Sequence, residues 1–417
     1  MKKKLRIILV WTLVSLLLQF GAYAFLNQQV ANVLSPPGAD NVPITKQLKA
    51  IIPGTNLKNI QISYAKDYLA YTENGTLKVF NLTKEKLVFE KKLPSPTDLT
   101  MGVLTYQWLP DRDTLIYFYA KKNPNPVTYV TVQPTQTPTT QQESTVQPKT
   151  EDPNQKTNKE VPKETPKEVP VKPKVEARYG NPQITELYSL ELPDSNEDTA
   201  PDDRFNQTIS NFPAGGKIEE LVFSTSTNLI YLTVKNGTSE LLMEIDVMKN
   251  VRTMSKSGES IDDMAASDRY GTLYINSKLG GTQQIVALSG DKRVVISKNS
   301  KDRVIGVRDG KVYIGEINNN MLVKIKTTAD RTDVTINPAL KTEWEGSIPY
   351  KSGMALIGSK GQVVINDQST AYIITNGQLN EVKLQGDENY ISDDGAELIQ
   401  LIRSGTSTNV ELQPIKQ

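Results

Sequence analysis

Downstream of the N-terminal segment, apolar residues come in short runs of four to seven. They are rich in Val, Ile, Tyr and Thr, and Asn-Gly and Gly-Gly pairs or Asn-rich turns break them up. No 3.6-residue periodicity is sustained, so the predicted elements are strands. Asn74-Gly75 links Tyr68–Thr72 to Leu77–Leu82, and Asn236-Gly237 links Leu229–Val234 to Glu240–Asp246. Gly280-Gly281 links Thr272–Ser277 to Gln284–Leu288, and Asn318–Asn320 links Lys311–Ile317 to Met321–Lys326. Turns this short make hairpins, and hairpins make antiparallel sheets.

One unit recurs: a strand end, a small polar turn, then an apolar strand usually closing on an aromatic. It reads Tyr64–Tyr71, Trp108–Tyr117, Phe223–Tyr231, Ala266–Tyr274, Val304–Tyr313, Ile348–Ile357 and Ile391–Ile399. Starts are spaced by 44, 115, 43, 38, 44 and 43 residues. A four-stranded propeller blade takes about 40–45 residues. The long spacing becomes one ordinary repeat if an insertion sits inside the second unit's hairpin, between Tyr117–Ala120 and Ile184–Leu190. Trp108-Leu-Pro-Asp-Arg-Asp-Thr-Leu-Ile-Tyr117 and Ile391-Ser-Asp-Asp-Gly-Ala-Glu-Leu-Ile399 resemble the W-S-P-D-G-x-x-I-x-Y repeat of TolB-like and WD-repeat-like bacterial propellers. That resemblance spans Ile44 to Gln417 outside the insertion. It implies a fold and a habit of binding proteins, and it carries no catalytic residue.

The predicted fold is therefore all-β, a propeller of about seven four-stranded blades with six as the alternative. It occupies residues 44–417. Radial closure leaves few sheet edges open to aggregation. A strand near Ile44–Ile51 is expected to close the ring beside Asn409–Ile415. Residues 123–178 interrupt it, rich in Pro, Thr, Gln, Lys and Glu, with a K-E-x-P repeat from Lys159 to Pro170. Such a stretch buries too little apolar surface to offset its chain entropy, so a disordered insertion is expected.

The N-terminus follows different rules. Lys2, Lys3, Lys4 and Arg6 precede an uncharged run from Ile7 to Leu26. Twenty helical residues rise about 30 Å, the thickness of a bilayer core. Cations before the run place the N-terminus in the cytoplasm. Residues 1–34 are thus expected to form a cytoplasmic tip and single-pass transmembrane anchor, 35–43 a stalk, and the propeller an extracytoplasmic domain. The alternative is a signal peptide cleaved after Ala24, which would release the domain.

Composition narrows the chemistry. The chain has no cysteine and no histidine. Disulfides, thiolate nucleophiles, Ser-His-Asp catalysis and His- or Cys-bound metals are excluded. An exported protein of this length without cysteine points to a bacterial source, and the N-x-S/T sequons at Asn74, Asn81, Asn206 and Asn236 then have no glycan to carry. Forty-eight basic and 47 acidic residues balance to +1, which gives no reason to expect a nucleic-acid partner.

The remaining candidates are the acidic pairs Asp202-Asp203, Asp262-Asp263 and Asp393-Asp394, with Asp111 and Asp113. All are read as turn residues that hold backbone amides. Ser392–Gly395 matches a sialidase Asp-box only in part, and no D-x-D-x-D-G calcium loop is present. Gly358-Ser-Lys-Gly361 lacks phosphate-loop spacing and reads as a hairpin turn. Trp108, Tyr117, Tyr231, Tyr274 and Tyr313 occupy equivalent repeat positions and are assigned to packing between blades. No catalytic, metal or cofactor residue is assigned. The expected role is a membrane-anchored module that binds a protein or cell-envelope polymer without catalysis. The alternative is an envelope enzyme working on glycan or peptide through carboxylates converging in the channel. The oligomeric state is not readable from the sequence.

Overall fold

The computed structural model of the chain describes residues 44–95, 98, 100–132, 174–331 and 338–415, together with residues 19 and 23. The apolar run Ile7–Leu26, apart from helical Gln19 and Tyr23, and the stalk up to residue 43 lie outside the described residues. Among the described residues no helix is long and apolar enough to cross a membrane.

Seven four-stranded antiparallel sheets account for nearly all the ordered backbone. Blade 1 runs from its innermost strand outward as β2 (Lys58–Ile62), β3 (Tyr68–Glu73), β4 (Thr76–Asn81) and β5 (Lys86–Lys91). Blade 2 is β6 (Gly102–Trp108), β7 (Thr114–Lys122), β10 (Gln183–Glu191) and β11 (Asp202–Thr208). Blades 3, 4 and 5 begin with β12 (Lys217–Ser224), β16 (Ser260–Ala266) and β20 (Asp302–Arg308) and run on to β15 (Val251–Thr253), β19 (Lys292–Ser297) and β23 (Lys341–Pro349). Blade 6 is β24 (Ala355–Ile357) to β27 (Gln378–Lys383). Blade 7 is β28 (Glu388–Ile391), β29 (Glu397–Ser404), β30 (Ser407–Pro414) and, as its outermost strand, β1 (Leu48–Pro53). The fold is a seven-bladed propeller, so the six-blade alternative is excluded.

The closing strand lies where the sequence places it. Ile51 faces Asn409 and Leu48 faces Leu412 across an antiparallel ladder. Alternation explains the pairing: Ala50 and Ile52 point inward and are buried, while Ile51 is exposed. The predicted hairpins also form, and Ile184 pairs with Lys121 across the insertion.

Each core cluster joins neighbouring blades. Leu69, Phe80, Leu401 and Leu412 pack blade 1 on blade 7, and Tyr117, Trp108, Leu77 and Val79 pack blade 2 on blade 1. The second strand of a blade is apolar on both faces because it lies between two other sheets, as in Leu115–Phe118. Neighbouring sheets thus bury each other's faces around the ring.

Three expectations are corrected. The copy at Ile348–Ile357 straddles the end of β23 and the start of blade 6. The equivalent unit is Ile357–Ile365, whose turn is Gly358–Gln362. Blade 5 has two nine-residue strands and blade 6 begins with strands of three and four residues, so even spacing misplaces the copy. The proposed disordered stretch begins and ends in order: β8 (Val127–Val132) pairs with β9 (Lys174–Tyr179) in an antiparallel ribbon, within a separate unit of residues 123–182. β8 is made entirely of β-branched and aromatic residues, and β9 contributes Val175 and Tyr179, a composition that favours pairing. Residues 133–173 lie outside the described residues. Finally, Asp202-Asp203 opens strand β11, and Asp262-Asp263 lies within β16, so neither pair is in a turn.

Candidate functional site

All seven innermost strands run in the same direction around the ring and deliver their first turns to one face. There they enclose the mouth of the central channel, a cavity of about 250 Å3 lined by every blade. Polar and apolar surface share its lining about equally, and the apolar side chains include Trp108, Leu109, Phe223, Met264, Ile305 and Ile357. Its charged lining residues are Lys66, Arg308, Asp268, Asp393 and Asp394.

The turns share a local design. Ser63, Ser267 and Ser392 follow the innermost strand, and each backbone N–H bonds back to the carbonyl five residues on. The serine hydroxyls of Ser63 and Ser392 accept the N–H of Tyr68 (3.2 Å) and Glu397 (2.9 Å). This tight turn needs one left-handed residue. Gly395 supplies it in blade 7, with φ +65°, and a glycine adopts that geometry freely. Blade 1 puts Lys66 at the same place, with φ +64°. A left-handed lysine costs about 1–2 kcal/mol. Lys66 is held there by burial and by a 2.9 Å ion pair to Asp394 on the neighbouring blade. Asp394 in turn accepts the Ser392 hydroxyl (2.5 Å) and the Ala396 N–H (3.2 Å).

Asp393 presents exposed surface to the channel while ringed by protein. That crowding pushes its carboxyl up to about 6; Asp394 adds to the rise, and Lys66 and Arg308 oppose it. Burial also raises Asp268, against the pull of Arg308 at 3.6 Å. The Nε of Arg308 is buried without a hydrogen-bond partner. The mouth therefore carries both signs of charge and one carboxyl raised to about 6. Such a rim can orient a polar or charged group brought to it beside the apolar side chains.

The other candidate acids have structural partners. Asp113 reaches across to blade 1 and accepts the Ala65 N–H (2.8 Å), while Asp111 pairs with Arg112 (3.1 Å). Asp203 accepts the hydroxyl of Tyr117 (2.6 Å) and the Lys91 ammonium (3.0 Å). Asp263 is buried and accepts Asn276 Nδ2 (2.7 Å) and the Ser352 hydroxyl, while Asp262 is exposed. Glu220, on the innermost strand of blade 3, is pushed up to about 7 by burial and by Asp263. Among the described residues no group of three or more acidic side chains is arranged to hold a metal ion.

Trp108, Tyr117, Tyr231, Tyr274 and Tyr313 are all buried between blades. Three of the tyrosines staple their blade to the next: Tyr231 donates to Gly271 O (2.6 Å), Tyr274 to Asp330 (2.9 Å) and Tyr313 to Gly361 O (3.4 Å). The sequence reading missed Lys66 and Arg308. For Lys66 a signal was present, since it stands where the copy Ile391–Ile399 has Gly395.

No family model and no curated protein matches the chain. Solved propellers resemble it in shape. The β-propeller domain of Cps50 (Swd1) from Myceliophteria thermophila is 8% identical, with a TM-score of 0.46 over 88% of this chain and 100% of that one. TolB from Acinetobacter baumannii is 8% identical, at 0.38 over 90% and 86%. Hsv2 from Kluyveromyces lactis is 11% identical, at 0.42 over 86% and 98%. The seven-bladed assignment rests on the sheets described above, not on these likenesses.

Proposed function

We propose that this chain is a membrane-anchored, extracytoplasmic propeller that binds a protein partner or a cell-envelope polymer through the channel-mouth face, without catalysis. One observation carries the reading: seven blades converge on a single funnel whose lining mixes apolar side chains with charges of both signs. Loops held on a rigid ring are the usual place for recognition. The anchor rests on the cation-flanked apolar run Ile7–Leu26. The test is crosslinking on intact cells with the full chain, followed by recovery of attached protein or polymer. Wild type is expected to capture a defined species and the Arg308→Ala, Lys66→Gly double variant to lose it. Equal capture by both, or none by wild type, refutes the reading.

A second reading has one observation in its favour. Asp393, poised near 6 beside Asp394, has the protonation behaviour of a carboxylate acid. If the chain is an envelope hydrolase, Asp393→Asn abolishes release of soluble fragments from isolated cell envelopes; equal release by wild type and variant refutes this reading.

A further inference from the structure

A second depression opens on the same face. It lies between blades 2 and 3, holds about 300 Å3, and is walled by Leu109, Ile116, Leu187, Phe223, Leu229 and Ile245. Leu109 and Phe223 also line the channel mouth, so the groove runs radially into it. At its outer end stands the turn Asp246–Asn250. Asp246 fixes that turn by accepting the Asn250 N–H and side-chain amide, both at 2.8 Å, and its backbone N–H bonds to Asn250 O at 3.1 Å. The rigid turn holds Val247 and Met248 out in water, 65% and 76% exposed. Two large apolar side chains fixed in solvent beside an apolar groove mark an interaction surface.

The charged side chains lining this groove are Arg112, Lys249 and Asp246, two cations to one carboxylate. Hydrogen bonds within its own turn hold the Asp246 carboxyl below the usual range, so it stays ionised, but Asn250 already occupies both of its oxygens. Lys249 meets only a backbone carbonyl, Asn206 O at 2.8 Å, so its charge faces no carboxylate there. Arg112, on the blade 2 side, holds its neighbour Asp111 in an exposed pair of the kind that contributes little and exchanges readily. An aliphatic side chain fits the walls, and carboxylates complement the two cations.

We infer that this groove receives an extended segment of a partner polypeptide, with an aliphatic side chain seated between blades 2 and 3 and acidic residues flanking it over Arg112 and Lys249. The inference rests on the binding-module reading and names its partner class. A polyanionic polymer would use the cations without needing the apolar walls.

The test is fluorescence polarisation with the full chain in detergent and three labelled ten-residue Gly/Ser peptides. One carries a central Leu flanked by four Glu, one the same Leu flanked by four Lys, and one the four Glu with Ser in place of Leu. The Leu–Glu peptide is expected to bind best. Val247→Ser with Met248→Ser should weaken it by about tenfold, the scale of losing apolar side chains from an interface. Arg112→Glu with Lys249→Glu should transfer preference to the Leu–Lys peptide. All four positions are exposed or lie on the rim, and a thermal melt matching wild type verifies each fold. No binding, equal binding of the Leu and Ser peptides, or no charge transfer overturns the inference. The same variants in the intact-cell crosslinking separate the two levels. Undiminished capture by them refutes the groove alone, whereas no capture by wild type removes the binding reading as well.

Discussion

Glu397 opens strand β29 at the seam where the ring closes, and its replacement by Gln should change how stability depends on pH. Its side chain is fully buried. Oε1 accepts the backbone N–H of Lys46, just before the closing strand, and Oε2 has no partner. Burial pushes the carboxyl up to about 7 from an ordinary 4.5; Lys46 and Lys66 oppose the rise and Asp394 adds to it. Between those values the folded chain keeps a proton that the unfolded chain has released. The stabilising contribution is therefore complete below about 4.5 and is lost as pH rises through about 7. At about 1.4 kcal/mol per pH unit, the fall amounts to roughly 3 kcal/mol. Glutamine can still accept from Lys46 but cannot ionise. Its amide leaves two buried hydrogens unmet where the protonated carboxyl leaves one, a difference of about 1 kcal/mol, so the variant should be slightly the weaker protein at pH 4.5. By pH 8 it should be the equal or the better. The assay is urea unfolding of both proteins at steps from pH 4.5 to 8, followed by tryptophan fluorescence. Other titrating groups, Asp393 among them, cancel in the difference between the two. Parallel pH profiles would refute the assignment of a buried, proton-holding Glu397.

Three further outcomes follow from the packing. Tyr274→Phe removes the hydroxyl that Asp330 accepts at 2.9 Å, leaving that buried carboxyl the Ser267 hydroxyl alone; stability should fall by about 1–2 kcal/mol in urea unfolding. Ile52→Ala, in the closing strand, should cost about 2–4 kcal/mol and speed proteolysis between β1 and β2. Lys66→Gly relieves about 1 kcal/mol of left-handed strain but unpairs Asp394, so it should destabilise; Lys66→Met, which keeps the strain, should destabilise by about 1 kcal/mol more, read by the same unfolding assay.

The strands that were legible in the sequence have one buried and one solvated face, or two buried faces bounded by Asn-Gly turns. Tyr68–Glu73 and Leu229–Asn236 are examples, and so is the closing strand with its Ala50 and Ile52 alternation. The other outermost strands were not legible. Gln378–Lys383 and Asp202–Thr208 are mostly exposed, so no alternation marks them, and Asp202-Asp203 passes for a turn. Asp263 was misread because a register shift between Ile261 and Met264 sets this stretch of the innermost strand outside regular pairing, and acids there imitate a loop. The candidate site was legible only as loops on one face. Its contents are pairings between residues more than three hundred positions apart, such as Lys66 with Asp394, and no local pattern encodes them.

The fourth strand of the last blade is the first of the described strands. Synthesis proceeds from the N-terminus, so β1 must wait, unmatched, until β30 has been made. Six blades can stack in order as they arrive, but the seventh stays a three-stranded remnant until its early member returns. The ring therefore snaps shut in a single late event, and a chain halted anywhere upstream has an open seam. Quality control that acts on exposed strand edges would find in that seam a direct gauge of whether synthesis was complete.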